Sequence, residues 1–187
     1  MTWGELKRAT LEKLDGPDEE SLPDLTEQMK NACNEGMNLL CQAGKLILRS
    51  VMVTAQQGQV IAMKEQAERY WETDSVFYEE TEGWKRTQRY ERIGREYLKA
   101  ERGGNYLIFY YAAPKQIDNT WQETAQIEMP QEAAVLLPLY MASQIYKHDN
   151  PQLAAMWRNE FEEGRAELKE RAAQRGGFAE IRGRTDE

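Results

Sequence analysis

Residues 129–168 read MPQEAAVLLPLYMASQIYKHDNPQLAAMWRNEFEEGRAEL, and the fold turns on this stretch. Between Ala133 and Ala142 every residue except Pro138 is aliphatic, aromatic or methionine. A helix with no polar face is normally a buried one. This one is too short for a membrane, which takes about 20 apolar residues in a row, and Gln131, Glu132, Gln144 and Lys147 bracket it. Pro138 removes a backbone hydrogen bond and presses on the carbonyl of Ala134, so a kink or broken turn is expected between Leu137 and Tyr140. Further on, Asn150 is a good N-cap and Pro151 suits the first helical position, where its missing N–H leaves nothing unsatisfied. Leu153, Met156, Trp157, Phe161 and Leu168 then recur at helical spacing, with charges on the other faces. The stretch predicts a C-terminal helical hairpin turning at His148, Asp149 and Asn150, its packing residues Leu137, Tyr140, Ala142, Tyr146, Trp157 and Phe161.

Toward the N-terminus, Thr2 and Glu5 form a capping-box pair, and Trp3, Leu6, Thr10 and Leu14 line one face of a short helix stopped by Gly16 and Pro17. After the acidic connector Asp18 to Ser21, Asp24 and Glu27 repeat the capping pattern. Leu25, Met29, Ala32, Cys33, Gly36, Met37, Leu40, Ala43 and Ile47 keep a helical rhythm, predicting a long central helix to about Leu48. Its small residues Ala32, Gly36 and Ala43 allow close approach of the helix around Leu136. From Val51 the period drops to two. Short β-prone runs, Val60 to Met63, Ser75 to Tyr78, Glu96 to Lys99 and Tyr106 to Tyr111, alternate with glycine and charged turns, with short helices as the alternative at Ala67 to Trp71 and Arg86 to Ile93. The expected fold class is α+β: a helical bundle of N-terminal helix, long central helix and C-terminal helical hairpin, with an inserted small antiparallel β-sheet or sandwich and an extended C-terminal tail. The expected division is 1–50 with 129–170 as helical core, 51–128 as β-rich insert and 171–187 as tail. Only Phe178 and Ile181 anchor that tail, which is too polar to fold alone and suits an arm that gains structure on docking.

The whole chain has 187 residues and a formal net charge of -8, which argues against a broad phosphate-gripping surface. Cys33 and Cys41 fall eight positions apart on one predicted helix, roughly 12 Å between Cα atoms, too far to pair. They read as small core residues of a chain made in a reducing cytoplasm. The N-terminal MTWGELKRATLEKL lacks the apolar core of a signal peptide. With one histidine, His148, and no Cys-x-x-Cys, an ordinary zinc site is not expected. The acidic runs Asp18, Glu19, Glu20 and Glu79, Glu80, Glu82 lack calcium-loop spacing and read as solvated turns. No nucleophile motif or phosphate loop is present, so neither enzyme nor cofactor is expected. The arginine and aromatic interleaving of WKRTQRYERIGREY reads as element surface, and Tyr70, Trp71 and Trp84 as interface anchors.

Three groups of residues carry a resemblance. Leu137-Pro138-Leu139-Tyr140-x-Ala142, followed by Tyr146, Asp149 and Asn159-Glu160-Phe161-Glu162, resembles the C-terminal hairpin of the head-to-tail connector, or adaptor, proteins of tailed bacteriophages. Thr2-x-Gly4-Glu5-Leu6 is similar to the start of such proteins, and Tyr110-Tyr111-x-x-Pro114-x-x-Ile117 to their last strand and exit loop. Asp149-Asn150 stands where an Asp-Asp is often found, with the capping role intact.

The resemblance implies a non-enzymatic virion part made in the bacterial host cytoplasm. It would form a homo-oligomeric ring, usually twelvefold, in the neck. The ring would sit below the portal protein, extend the DNA channel for genome retention and ejection, and offer a platform to the next neck or tail-completion protein. DNA would pass without sequence-specific binding, and no membrane is involved. Arg175, Phe178, Ile181, Arg182 and Arg184 would reach the portal or a neighbouring subunit. The alternative reading is a soluble helical ligand-binding or regulatory module with a β insert, whose mark would be an apolar pocket lined by Trp71, Tyr78, Trp84 or Tyr110.

Overall fold

The computed structural model describes residues 1–14 and 22–175. In chain order the elements are α1 (Trp3–Leu11), α2 (Leu22–Gly44), β1 (Leu48–Ala55), β2 (Val60–Ala62), α3 (Met63–Gln66), β3 (Tyr70–Glu80), β4 (Gly83–Arg86), β5 (Tyr90–Ile93), β6 (Tyr97–Ala100), β7 (Gly104–Ala112), α4 (Gln131–Ala134), α5 (Leu137–Ile145) and α6 (Pro151–Arg175). They divide into two compact units, Met1–Lys45 with Lys115–Glu187, and Leu46–Pro114. Among the described residues no helix is long and apolar enough to cross a membrane.

In the helical unit, α1 starts at the capping box: the Thr2 N–H donates to Glu5 Oε2 at 2.8 Å and the Glu5 N–H to Thr2 Oγ1 at 3.2 Å. Two otherwise orphaned N–H groups are thereby satisfied. Leu6 is fully buried, as is Thr10, whose hydroxyl donates to the Leu6 carbonyl at 2.8 Å. The buried residues of α2, Met29, Ala32, Cys33, Gly36, Met37, Leu40 and Cys41, recur three and four apart and form one stripe. That stripe packs on α5 and α6, and α5 packs on α1 and α6. At Gly36 an added Cβ would lie 3.0 Å from Leu137 and 3.1 Å from Tyr140, so the missing side chain sets the spacing of α2 and α5. The segment after Lys115 is bound to the helices. Asn34 exchanges two hydrogen bonds with the Ile117 backbone, at 2.9 and 2.8 Å, and Trp3 and Gly4 donate to the carbonyls of Ala125 and Glu123.

The expected architecture, a helical bundle built on a long central helix and a C-terminal helical hairpin with an inserted small antiparallel sheet or sandwich, needs correction in its helices. The 23-residue α2 lies near the N-terminus and ends at Gly44, where Lys45 takes a positive φ of 48°. The longest helix is α6, with 25 residues. The apolar run from Met129 makes no matched arm for it, because it splits into α4, of four residues, and α5, of nine. Pro138 is the physical reason. It sits in the first turn of α5, where proline is tolerated, and its ring excludes a helical carbonyl four residues earlier, at Ala134, where α4 stops. The break therefore precedes Pro138 and does not follow Leu137. The β-rich insert consists of two antiparallel sheets with seven strands among the described residues. The tail residues Phe178, Ile181, Arg182 and Arg184, the side chain of Arg175, and the connector with Gly16, Pro17, Asp18, Glu19 and Glu20 lie outside the described residues.

The β unit holds both sheets, ordered β1-β7-β3-β4 and β2-β6-β5. Registers such as Val53↔Tyr106, Val51↔Ile108 and Val76↔Ile108 bring apolar residues onto one face of the larger sheet. Val53, Val76, Tyr106, Ile108 and Tyr110 are buried there, and Ile61, Leu98 and Ala100 are buried on one face of the smaller sheet. Arg92 Nη2 on β5 donates to the Thr73 carbonyl of β3 at 3.0 Å, and the Tyr70 hydroxyl to the Arg95 carbonyl at 2.6 Å, tying the sheets together. The segments proposed as short helices at Ala67 to Trp71 and Arg86 to Ile93 are mostly turn and strand.

Candidate interaction surface

Groups capable of chemistry are few and internally committed. Among the described residues no cluster of three or more histidine, cysteine or acidic side chains could hold a metal ion. His148 is exposed in the turn before α6. Burial pushes the Cys33 thiol up to about 12, so it stays protonated and inert at neutral pH. In the acidic run after β3, the Lys85 ammonium contacts Glu80 at 3.0 Å and Glu82 at 3.1 Å, and its hydrogen bond holds the Glu80 carboxyl below the usual range. One ammonium is thus shared between two carboxylates of the run.

Of the aromatic residues named for a ligand pocket, Trp71, Tyr78, Trp84 and Tyr110, two share a face of the larger sheet. Tyr106, Ile108 and Tyr110 share the buried face of β7, and Tyr78, opposite Tyr106 on β3, shares it with them. Trp84 pairs with Glu79, one residue along from Tyr78, and so lies on the opposite face. Trp71 falls in the irregularity of β3 between Tyr70 and Glu72, where the register with β7 shifts.

What the β unit does present is apolar surface. On the open face of the larger sheet, Leu48 is 53% and Met52 64% exposed. Their partners Tyr111 and Leu107 on β7, with Phe109 between them, are half-buried, and Leu107 pairs onward with Phe77 on β3. The rings of Phe77 and Phe109 meet edge-on at 5.5 Å. Tyr111 closes one end, donating to Asp74 Oδ1 at 2.9 Å; burial, and then this carboxylate, push its hydroxyl up to about 12. A solvated face of an antiparallel sheet is ordinarily polar. Here the alternation leaves aliphatic and aromatic side chains on both faces.

The margin of the same face is open too. Ala112 donates its N–H to the Ile47 carbonyl, which fixes the phase of the β1–β7 ladder. By alternation, Leu48, Ser50, Met52 and Thr54 turn their backbone groups away from β7. Among the described residues no strand pairs with that side of β1, and the strand carries neither proline nor lysine, the usual guards of an exposed edge. On one face of the smaller sheet Val60, Ile93 and Tyr97 are exposed; Tyr97 pairs with both Ala62 and Ile93, and Val60 pairs with Lys99, which forms an ion pair with Glu91. Between Leu46 and Pro114 the chain has ten basic and ten acidic side chains, so the net charge of -8 resides entirely outside the β unit. Neutral, apolar-faced units favour association.

Of the residues singled out in the sequence, Leu137, Tyr140, Ala142 and Phe161 are buried, while Tyr146 and Trp157 are half-buried. The rings of Tyr140 and Phe161 meet at 4.8 Å with the Arg158 guanidinium over both, and the Lys13 ammonium lies 4.3 Å from the centre of the Trp157 ring. These residues pack within the helical unit, Tyr146 and Trp157 at its margin. The open face of β1 was missed, although the alternation of Leu48, Ser50, Met52 and Thr54 was there to be read. No curated protein matches the chain significantly. The sequence model of the SU10 adaptor protein family matches residues 1–183.

Proposed function

Because this chain belongs to the SU10 adaptor protein family, we propose that its copies close into a ring in the phage neck. Membership makes it a structural phage head-tail protein, a virion component that contacts other head or tail proteins. The ring, of about twelve copies by family resemblance, sits against the portal, continues the DNA channel and receives the next neck or tail-completion protein on its far side.

The observation that carries this reading is the division of charge and apolar surface. The β unit is neutral and exposes apolar side chains on the open face of its larger sheet, as a subunit contact requires, while all the net negative charge lies elsewhere. Negative charge along a channel repels the phosphate backbone, so DNA passes without sticking. In this scheme Arg175, Phe178, Ile181, Arg182 and Arg184 form the handle that grips the portal.

Deleting residues 176–187 is expected to leave a folded chain and to abolish its capture by purified portal rings, as read by co-sedimentation. Undiminished capture of the truncated chain would overturn the assignment of the handle.

A further inference from the structure

We infer that the open edge of β1 receives an added strand from another head or tail protein of the particle. The ladder with β7 occupies the backbone groups of Arg49, Val51 and Val53, so those of Leu48, Ser50, Met52 and Thr54 face outward in a row. Alternating donors and acceptors along an edge are the recognition surface for an extended polypeptide, whose main chain supplies the matching groups. Exposure peaks on this same strand. Leu48 and Met52 are exposed, while Tyr111, Phe109 and Leu107 beside them on β7 are half-buried. What β1 lacks is therefore a lateral neighbour. A strand laid along it would set its own side chains beside Leu48 and Met52 on one face and beside Val51 and Val53 on the other, so the guest is apolar on both faces.

The other sheet edges of this chain are a poor match for that guest. β1 has eight residues, whereas the edge strands β2, β4 and β5 have three, four and four. Charged side chains guard two of them, Lys85 and Arg86 on β4 and Glu91 and Arg92 on β5. Family membership makes the chain a virion component that contacts other head or tail proteins, and a strand from one of these supplies the missing neighbour. The contact needs that membership alone and stands whether or not the copies close into a ring. Edge pairing also fixes direction and register between two proteins through the main chain, with alternate side chains selecting the partner.

Amide hydrogen exchange of the full chain, free and within purified particle necks, reads the edge residue by residue. The amides of Arg49, Val51 and Val53 are expected to exchange slowly in both, and those of Leu48, Ser50, Met52 and Thr54 about a hundredfold more slowly in the neck. Unchanged exchange at the four outward amides would overturn the inference. So would slow exchange in the free chain that deepens with its concentration, the mark of two copies pairing through β1. A benzophenone side chain placed at Met52 and irradiated in particles identifies the donor of the strand: a conjugate with a different virion protein is expected, and conjugates between copies alone would contradict it. Ser50→Pro removes one outward N–H, a substitution that a sheet edge tolerates, so this variant is expected to melt with the parent and to lose the conjugate. Undiminished conjugate in a folded Ser50→Pro chain would count against strand addition, and if the variant does not fold, the exchange pattern of the parent decides.

Discussion

Replacing Phe161 by alanine is expected to destabilise the helical unit by about 3–5 kcal/mol, the usual loss for a buried phenylalanine. Phe161 is fully buried, meets the Tyr140 ring at 4.8 Å, and projects from α6, which packs on both α2 and α5. Its removal leaves a cavity where those helices meet. Closing that cavity is resisted on one side by Gly164, where Leu136 already approaches so closely that an added Cβ would lie 2.6 Å from its Cδ2. With total stabilities of about 5–15 kcal/mol the loss is a large fraction of the whole, and Tm should fall by roughly 10 °C. Met156→Ala on the same helix is the control. That side chain is 43% exposed, and its truncation should change stability by about 0.5 kcal/mol or less.

The second large effect is expected at Gly104, at the start of β7. Its φ of +146° is a conformation for glycine alone, and a Cβ there would collide with the Tyr78 ring. Tyr78 cannot step aside freely, because its hydroxyl donates to the Gly103 carbonyl at 2.8 Å and its ring meets Tyr106 edge-on at 5.2 Å. Gly104→Val should destabilise the β unit by about 1–3 kcal/mol through backbone strain, with about another 1 kcal/mol if the Tyr78 hydrogen bond is lost. Thermal unfolding followed at the tyrosines reads the change. Gly94→Val is the comparison: it shares a positive φ, 66°, but an added Cβ meets nothing within 4 Å. It isolates the strain from the collision.

Local signals in the sequence were the most legible. The capping box at Thr2 and Glu5, the start of α6 at Asn150 and Pro151, and the buried stripe of α2 all follow from residues within two turns of one another. The end of α2 was misplaced because apolar residues continue through Leu46, Ile47 and Leu48, while the chain turns at Lys45, a residue with no special tolerance of positive φ. β1 was lost in consequence, and with it the open sheet face. Pairing was illegible for a different reason. β1 bonds to β7 across roughly fifty intervening residues, and periodicity carries no record of which strand lies beside which. The apolar alternation on both faces of β1 suits a central strand, and only the sheet order reveals it as an edge. In the stretch from Met129, composition identified a buried element correctly as apolar, but the consequence of Pro138 was placed after the proline when its ring acts on the preceding turn.

The central claim, that copies of this chain form a closed ring between the portal and the rest of the neck, is tested most directly by electron cryo-microscopy of the neck in intact particles. The account predicts a closed ring of this chain seated on the portal, with the DNA path running through its centre. A neck without this chain, or with isolated copies that do not touch one another, would contradict it.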